Sequence, residues 1–150
     1  MTNPVRCVVD ASVGIKQFIP DPLSSKVVQL FTHLEMPQTE IFVPDLFYIE
    51  CANIIGKYVR AGLYAAADVP TDLANLRALS LRSVSTAELI LEATNIALNC
   101  GISAYDGSYV ALSQQVDAPL LTLDQKLVRA LAGTSYNVLS FNDFEVPTPH

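Results

Sequence analysis

Short apolar runs alternate with longer amphipathic segments along the whole chain. The runs predict strands at residues 5–9, 41–43, 81–84, 120–123 and 136–141. The intervening segments predict helices over residues 13–19, 23–36, 45–61, 63–79, 85–100, 104–115 and 124–131. In the second of these helices, apolar residues recur at spacings of i, i+3, i+4 and i+7, which gives one buried face. Strands that alternate with helices predict an α/β fold, with a central, mainly parallel β-sheet flanked by α-helices.

Proline and capping residues mark where several of these elements begin or bend. Pro44 is expected in or just before the first turn of the third helix, where proline is tolerated. Pro70 falls within the 63–79 segment, so we expect two helical pieces with a bend between them. Ser85 and Glu88 have the S-x-x-E spacing of a capping box, which predicts a helix start there.

The length and composition predict one globular domain. A chain of 150 residues is long enough for a single substantial core, and it contains no internal repeat, linker or low-complexity tract. We therefore expect residues 1–150 to form one domain, with a polar, proline-bearing tail from about residue 142. The formal net charge of −6 argues against a protein that holds nucleic acid by bulk electrostatics, but it does not exclude a nuclease that brings its own cations.

The cysteines and the apolar runs predict the compartment. Cys7, Cys51 and Cys100 are an odd number of widely separated residues with no C-x-x-C motif. They predict buried free thiols, and hence a reducing cytoplasm, rather than a disulfide framework or a zinc site. No long apolar segment precedes Asp10, and no apolar run approaches the ~20 residues of a membrane span. We expect a cytoplasmic protein with no signal peptide and no membrane association.

Four carboxylates are expected near the carboxyl ends of the predicted strands, where parallel sheets bind their ligands. Asp10 ends the first predicted strand, and Asp124 comes just beyond the fourth. Glu50 lies one turn into the helix after the second strand, and Asp106 lies in the first turn of another helix. Because ligands bind beyond the carboxyl ends of parallel strands, all four are expected at one rim. Singly, the aspartates also suit helix capping, Asp106 in a capping box with Ser103, and Glu50 suits a solvated helix face.

The cluster as a whole predicts a metal site. Four neighbouring carboxylates repel one another and raise one another's pKa values, and a divalent cation relieves that repulsion. Oxygen ligands alone suit Mg²⁺ or Mn²⁺ better than zinc. A water held by such an ion can attack a phosphodiester. The carboxylates therefore indicate metal-dependent hydrolysis.

Four segments contain the carboxylates of the predicted site. The segments are V-V-D-A-S (8–12), I-E-C-A-N (49–53), A-Y-D-G-S-Y-V-A-L-S (104–113) and L-L-T-L-D-Q-K-L (120–127). In this order and at this spacing, they resemble the motifs of the PIN-domain nucleases. The closest resemblance is to the VapC-like toxins of type II toxin–antitoxin pairs, and it extends from Val8 to about Phe144. The resemblance implies a single-domain PIN-like fold and a Mg²⁺- or Mn²⁺-dependent endoribonuclease that cuts RNA with a metal-activated water. It also implies a homodimer, and an antitoxin whose tail enters the active-site groove.

The resemblance assigns roles to six of the residues. The catalytic and metal-binding quartet is Asp10, Glu50, Asp106 and Asp124. Ser12 and Thr122, near two strand ends, are the expected supports of the site. The chain departs from the family at Gly107, where alanine is more common, and we expect a slightly looser helix start there.

Other residues near the motifs carry weaker predictions. Lys57 and Lys126 are candidate substrate contacts; Lys57 lies two helical turns after Glu50 on the same face, although ordinary surface charges would look the same. Tyr105 and Tyr109 are expected to pack in the core rather than to stack on bases.

Two other functions remain open at this stage. The chain could be a PIN-like module that binds RNA or a partner without catalysis, although a complete quartet counts against that function. A phosphoryl-transfer enzyme of the haloacid dehalogenase type would need D-x-D at the first strand, where this chain has D-A-S.

Overall fold

A single five-stranded sheet forms the centre of the protein. The computed structural model describes residues 4–148, so the two ends of the chain, including the last residues of the predicted tail, lie outside the described part. The strands are β1 (Arg6–Val9), β2 (Glu40–Pro44), β3 (Arg82–Val84), β4 (Leu120–Thr122) and β5 (Val138–Ser140). Their order is β3-β2-β1-β4-β5, and all four pairings are parallel. The predicted α/β fold with a mainly parallel sheet is confirmed.

Seven α-helices flank the sheet within residues 4–148. They are α1 (Ala11–Gly14), α2 (Ser24–Thr32), α3 (Leu46–Arg60), α4 (Val69–Ala78), α5 (Thr86–Cys100), α6 (Ala104–Val116) and α7 (Gln125–Leu131). Each overlaps a segment that the apolar pattern predicted to be helical, but α1 begins two residues before the predicted start at residue 13 and is followed by a 3₁₀-helix (Ile15–Gln17). Pro44 is the last residue of β2 and lies just before the N-cap of α3, so it stands just before the first turn, as predicted. The 63–79 segment has the two predicted helical pieces, a 3₁₀-helix (Ala66–Asp68) and α4. The position expected for Pro70 was wrong: it lies in the first turn of α4 and not between the two pieces, because the first turn needs no backbone donor from it.

The central strand is buried on both faces, as its continuous apolar run requires. Cys7, Val8 and Val9 of β1 have no exposed surface. Val8 pairs with Phe42 of β2 and with Leu120 of β4, so these three strands run in near register. Their carboxyl ends therefore reach the same rim of the sheet, and the residues that follow them are brought together there.

Helices α5 and α6 approach each other closely at Gly107. A Cβ atom at Gly107 would overlap the carbonyl oxygen of Ala93 in α5. The expectation that glycine merely loosens the start of α6 was wrong, since the absence of a side chain is what allows this crossing.

The three cysteines are free: Cys7 and Cys51 are buried and Cys100 is half-buried. The prediction of free thiols without a disulfide framework is confirmed. None of the helices in residues 4–148 has both the length and the apolar character needed to cross a membrane.

Candidate active site

Asp10 is held at the end of β1 by hydrogen bonds to both of its carboxylate oxygens. Its Oδ1 accepts a bond from Ser12 Oγ at 2.5 Å and one from the backbone N–H of Val13 at 3.3 Å, which caps α1. Its Oδ2 accepts a bond from Thr122 Oγ1. The residue is only 6% exposed. Burial raises the pKa of the Asp10 carboxyl from 3.8 to about 6, while the hydrogen bonds from Ser12, Thr122 and Val13 act in the opposite direction.

The two hydroxyl residues link the ends of β1 and β4. Besides donating to Asp10, Ser12 Oγ accepts the backbone N–H of Leu123 at 2.9 Å. Thr122 Oγ1 accepts the backbone N–H of Asp124 at 3.0 Å. Ser12 and Thr122 are the predicted supports of the site. Each hydroxyl group therefore holds both the Asp10 carboxylate and the backbone of the turn that leads into α7.

Glu50 reaches the rim from α3 and is bonded to a tyrosine of α6. Its Oε1 accepts a hydrogen bond from Tyr109 Oη at 2.6 Å. Burial raises the pKa of the Glu50 carboxyl, the Tyr109 bond lowers it, and the negative charge of Asp106 raises it again. Tyr109 packs in the core with 1% exposure, as predicted. The prediction missed the contact of its hydroxyl group, although a buried tyrosine generally requires a polar partner.

Asp106 and Asp124 complete the set at the starts of α6 and α7. Burial raises the pKa of Asp106, and so does the nearby charge of Asp124, while a hydrogen bond involving Ser103 lowers it. Asp124 caps α7: its Oδ1 accepts the backbone N–H groups of Lys126 at 3.0 Å and Leu127 at 3.3 Å. The capping interpretation of Asp10 and Asp124 is therefore correct. For Asp124 it uses only Oδ1, so capping does not exclude another role.

Asp106 is electrostatically linked to the other three carboxylates. Burial is the larger cause of each raised pKa, and beyond it the charge of Asp106 acts on Asp10 and on Glu50, while that of Asp124 acts on Asp106. The ion pairs found in residues 4–148 join Arg6 and Arg82 to Glu40, and Lys16 to Asp21. The four carboxylates of the rim thus have no basic partner within the described chain.

The oxygen atoms of these side chains are of the chemical type that binds a hard divalent cation. The site offers carboxylate and hydroxyl oxygens, buried or half-buried, with unbalanced negative charge, and these are the donors that Mg²⁺ and Mn²⁺ prefer. In the arrangement seen within residues 4–148, no three acidic, histidine or cysteine side chains are grouped closely enough to hold an ion together. The case for Mg²⁺ or Mn²⁺ at this rim therefore depends on the type of ligand atom and on the unpaired negative charge.

A cavity of about 620 Å³ opens beside Glu50, along α3. It is lined by Ile49, Glu50, Ala52, Asn53, Gly56, Arg60 and Tyr105. Lys57 and Lys126, the predicted substrate contacts, are exposed, but neither lines this cavity. Tyr105 is 67% exposed, so the prediction that it packs in the core was wrong. Arg60 lines the cavity, although no specific sequence signal indicated it.

Comparison with known proteins identifies the family. The model of the PIN domain family matches residues 7–132. Ribonuclease VapC3 of Pyrobaculum aerophilum is 31% identical over 125 residues, which are 82% of this chain and 92% of that protein. Among solved structures, PAE2754 of Pyrobaculum aerophilum has a TM-score of 0.68 at 21% identity, with 93% of each chain covered. A toxin–antitoxin complex from Klebsiella pneumoniae has a TM-score of 0.59 at 14% identity, covering 89% of this chain and 96% of that one. The family match and the VapC3 relative, together with a fold shared across both structures, show that the chain belongs to the PIN-domain family.

Proposed function

We propose that this protein is a metal-dependent endoribonuclease of the VapC type and the toxin of a toxin–antitoxin pair. The observation that carries the proposal is that hydroxyl hydrogen bonds hold the carboxylates of Asp10 and Glu50 in place, while none of the four carboxylates has a basic partner in residues 4–148. The relative named Ribonuclease VapC3, which aligns over most of both chains, supports RNA as the substrate. A divalent cation bound at this rim would relieve the repulsion between the carboxylates.

The four carboxylates are the proposed catalytic and metal-holding residues: Asp10, Glu50, Asp106 and Asp124. When bound, Mg²⁺ or Mn²⁺ supplies a nucleophile at neutral pH and offsets the charge that develops on the leaving oxygen. Ser12 and Thr122 fix the direction of the Asp10 carboxylate through its two oxygens. Such outer partners set the orientation of ligating groups and often matter nearly as much as the ligands themselves.

We propose Lys57 and Lys126 as phosphate contacts at the edge of the site. Both are exposed, Lys57 on α3 and Lys126 in the first turn of α7 directly after Asp124. With a net charge of −6, the protein repels RNA on average, so binding depends on cations placed locally at the site.

We also propose two protein partners in the cytoplasm. Helix α5 exposes Ile90, Leu91 and Leu98, between 65% and 78% of each, and Ile90 also lines an apolar cavity of about 420 Å³. Large apolar side chains exposed together mark interaction surfaces, and we assign this one to a second copy of the chain. The Klebsiella pneumoniae structure is described as a toxin–antitoxin complex, which supports an antitoxin as the other partner. Leu98→Glu should convert a dimer to a monomer in light scattering.

The direct test is incubation of the purified protein with total RNA in Mg²⁺, in Mn²⁺ and in excess EDTA. We expect discrete cleavage products with either metal and none in EDTA. The alternative function is a PIN-like module that binds RNA or a protein without cutting. Intact RNA under every condition, together with measurable RNA binding, would favour that alternative.

A further inference from the structure

The cavity beside Glu50 has the size and lining of a ligand site. Its volume of about 620 Å³ falls within the roughly 300–1,000 Å³ range in which proteins hold small ligands. Its lining includes Glu50, Asn53, Gly56 and Arg60 of α3, and Tyr105 from the start of α6. The cavity therefore joins one of the rim carboxylates to a cation and an exposed aromatic ring.

Arg60 brings an available positive charge to this cavity. Its side chain is exposed, and within residues 4–148 it takes part in no ion pair. Its guanidinium group lies over Gly56, because a Cβ atom built there would be 3.3 Å from Arg60 Nη1. Glycine is unfavourable in a helix interior, and at this position it leaves room for the guanidinium against the helix. A planar guanidinium is well suited to bind phosphate with paired hydrogen bonds.

Tyr105 supplies an aromatic face at the same opening. The residue is 67% exposed. It lines this cavity together with Glu50, and it also lines the apolar cavity beside α5. Exposed aromatic rings in a groove that also carries a cation are the combination on which single-stranded nucleic acids stack. Asn53, which lines the cavity one turn after Glu50, offers both a donor and an acceptor to a base edge.

We propose that this cavity is a nucleotide subsite for single-stranded RNA, next to the carboxylate rim. Arg60 binds a backbone phosphate, Tyr105 stacks on the base, and Asn53 contacts the base edge. The subsite rests on the proposed ribonuclease function, since it places one nucleotide of the strand beside Glu50. It also explains how a protein with a net charge of −6 holds RNA: Arg60 and Tyr105 add to the proposed phosphate contacts Lys57 and Lys126, so that binding is local and does not need a basic face.

The test is a direct measurement of RNA binding under conditions in which the RNA is not cleaved. Fluorescence anisotropy of a short, labelled single-stranded RNA is recorded in EDTA at several salt concentrations. The variants are Arg60→Ala and Tyr105→Ala. The matched controls are Arg82→Ala, which removes the same charge at the amino end of β3, and Tyr105→Phe, which keeps the ring.

Each variant has a distinct expected result. Tyr105→Ala should weaken binding by roughly 5- to 150-fold, the range found for loss of a base–aromatic stack, with an unchanged salt dependence. Arg60→Ala should reduce the slope of log affinity against log salt by about 0.7, the value for one phosphate contact on a single strand. Tyr105→Phe and Arg82→Ala should bind as the native protein does. Equal affinity and equal salt slope in all five proteins would overturn the subsite, as would failure of the native protein to bind RNA.

The outcomes also separate the subsite from the nuclease function. If the native protein cuts RNA with Mn²⁺, while Arg60→Ala and Tyr105→Ala bind it as tightly as the native protein, the subsite is wrong and the nuclease function stands. If binding depends on both residues but no condition gives cleavage, the subsite stands and the nuclease function is wrong. If Tyr105→Ala instead changes only the oligomeric state, Tyr105 belongs to a protein interface and the subsite is overturned.

Discussion

Tyr109 Oη donates a hydrogen bond of 2.6 Å to Glu50 Oε1, which joins α6 to α3 directly behind the carboxylate rim. The tyrosine is buried and so is held in place by packing, whereas Glu50 is half-buried. The bond therefore fixes one oxygen of Glu50 and leaves its other oxygen for the rim.

Tyr109→Phe should lower activity while leaving the fold intact. The ring is kept, so packing is preserved, but Glu50 loses the bond that orients it and lowers its pKa. We expect a loss of roughly 10- to 100-fold in Mn²⁺ affinity or in cleavage rate, as for other outer partners of metal ligands. Isothermal titration with Mn²⁺ measures the first quantity and RNA cleavage the second. Tyr136→Phe is the matched control; equal losses in the two variants would contradict a positioning role for Tyr109.

The raised pKa of Asp10 should make the free energy of unfolding depend on pH. Its carboxyl has a pKa of about 6 in the folded protein and 3.8 in its ordinary state, so the folded protein holds the proton more tightly. The resulting contribution to stability is present below about pH 4 and is lost as the pH rises through about 6. A shift from 3.8 to about 6 corresponds to about 3 kcal/mol at most.

The measurement is the free energy of unfolding in EDTA across this pH range, for the native protein and for Asp10→Asn. Relative to the variant, the native protein should become less stable between about pH 4 and pH 6. Added Mn²⁺ should reverse this trend, since metal binding favours the deprotonated carboxylates and stabilises the folded state. A constant difference between the two proteins across the range would show that Asp10 is not buried as described.

Two glycine-to-alanine changes in helices should have opposite effects. Gly107→Ala places a Cβ atom against the backbone oxygen of Ala93, so we expect destabilisation of about 1–3 kcal/mol despite the better helix propensity of alanine. Gly56→Ala meets only the flexible end of Arg60, so the propensity gain of up to ~1 kcal/mol should prevail. Urea denaturation measures both. Stabilisation by both changes would mean that α5 and α6 do not cross as closely as the structure describes.

The site residues at the strand ends could be predicted from the sequence, because their positions depend on local sequence signals. Asp10 and Asp124 directly follow buried strands, and parallel strands bring their carboxyl ends to one rim, so their shared location followed from the pattern. The same signals showed that each could cap a helix, and each does.

The contacts between helices could not be predicted in the same way. The Tyr109–Glu50 hydrogen bond depends on how α3 and α6 are rotated and packed. The same packing brings Arg60 and Tyr105 to the lining of one cavity. The role of Gly107 depends on the crossing of α5 and α6. Periodicity identifies the face that a helix buries, but it does not identify the residues that two helices bring together.

The most direct measurement of the central claim is RNA cleavage by the native protein and by Asp106→Asn, each in Mn²⁺ and in EDTA. Asp106 is linked to the other three carboxylates, so its loss should reduce cleavage by more than roughly 100-fold, the upper end of losses from outer partners. The variant should remain folded and at least as stable in EDTA, since a repulsive charge has been removed. Asp143→Asn, an exposed change in the C-terminal segment, should cleave normally. Full cleavage by Asp106→Asn, or by the native protein in excess EDTA, would contradict a metal-dependent site built on these carboxylates.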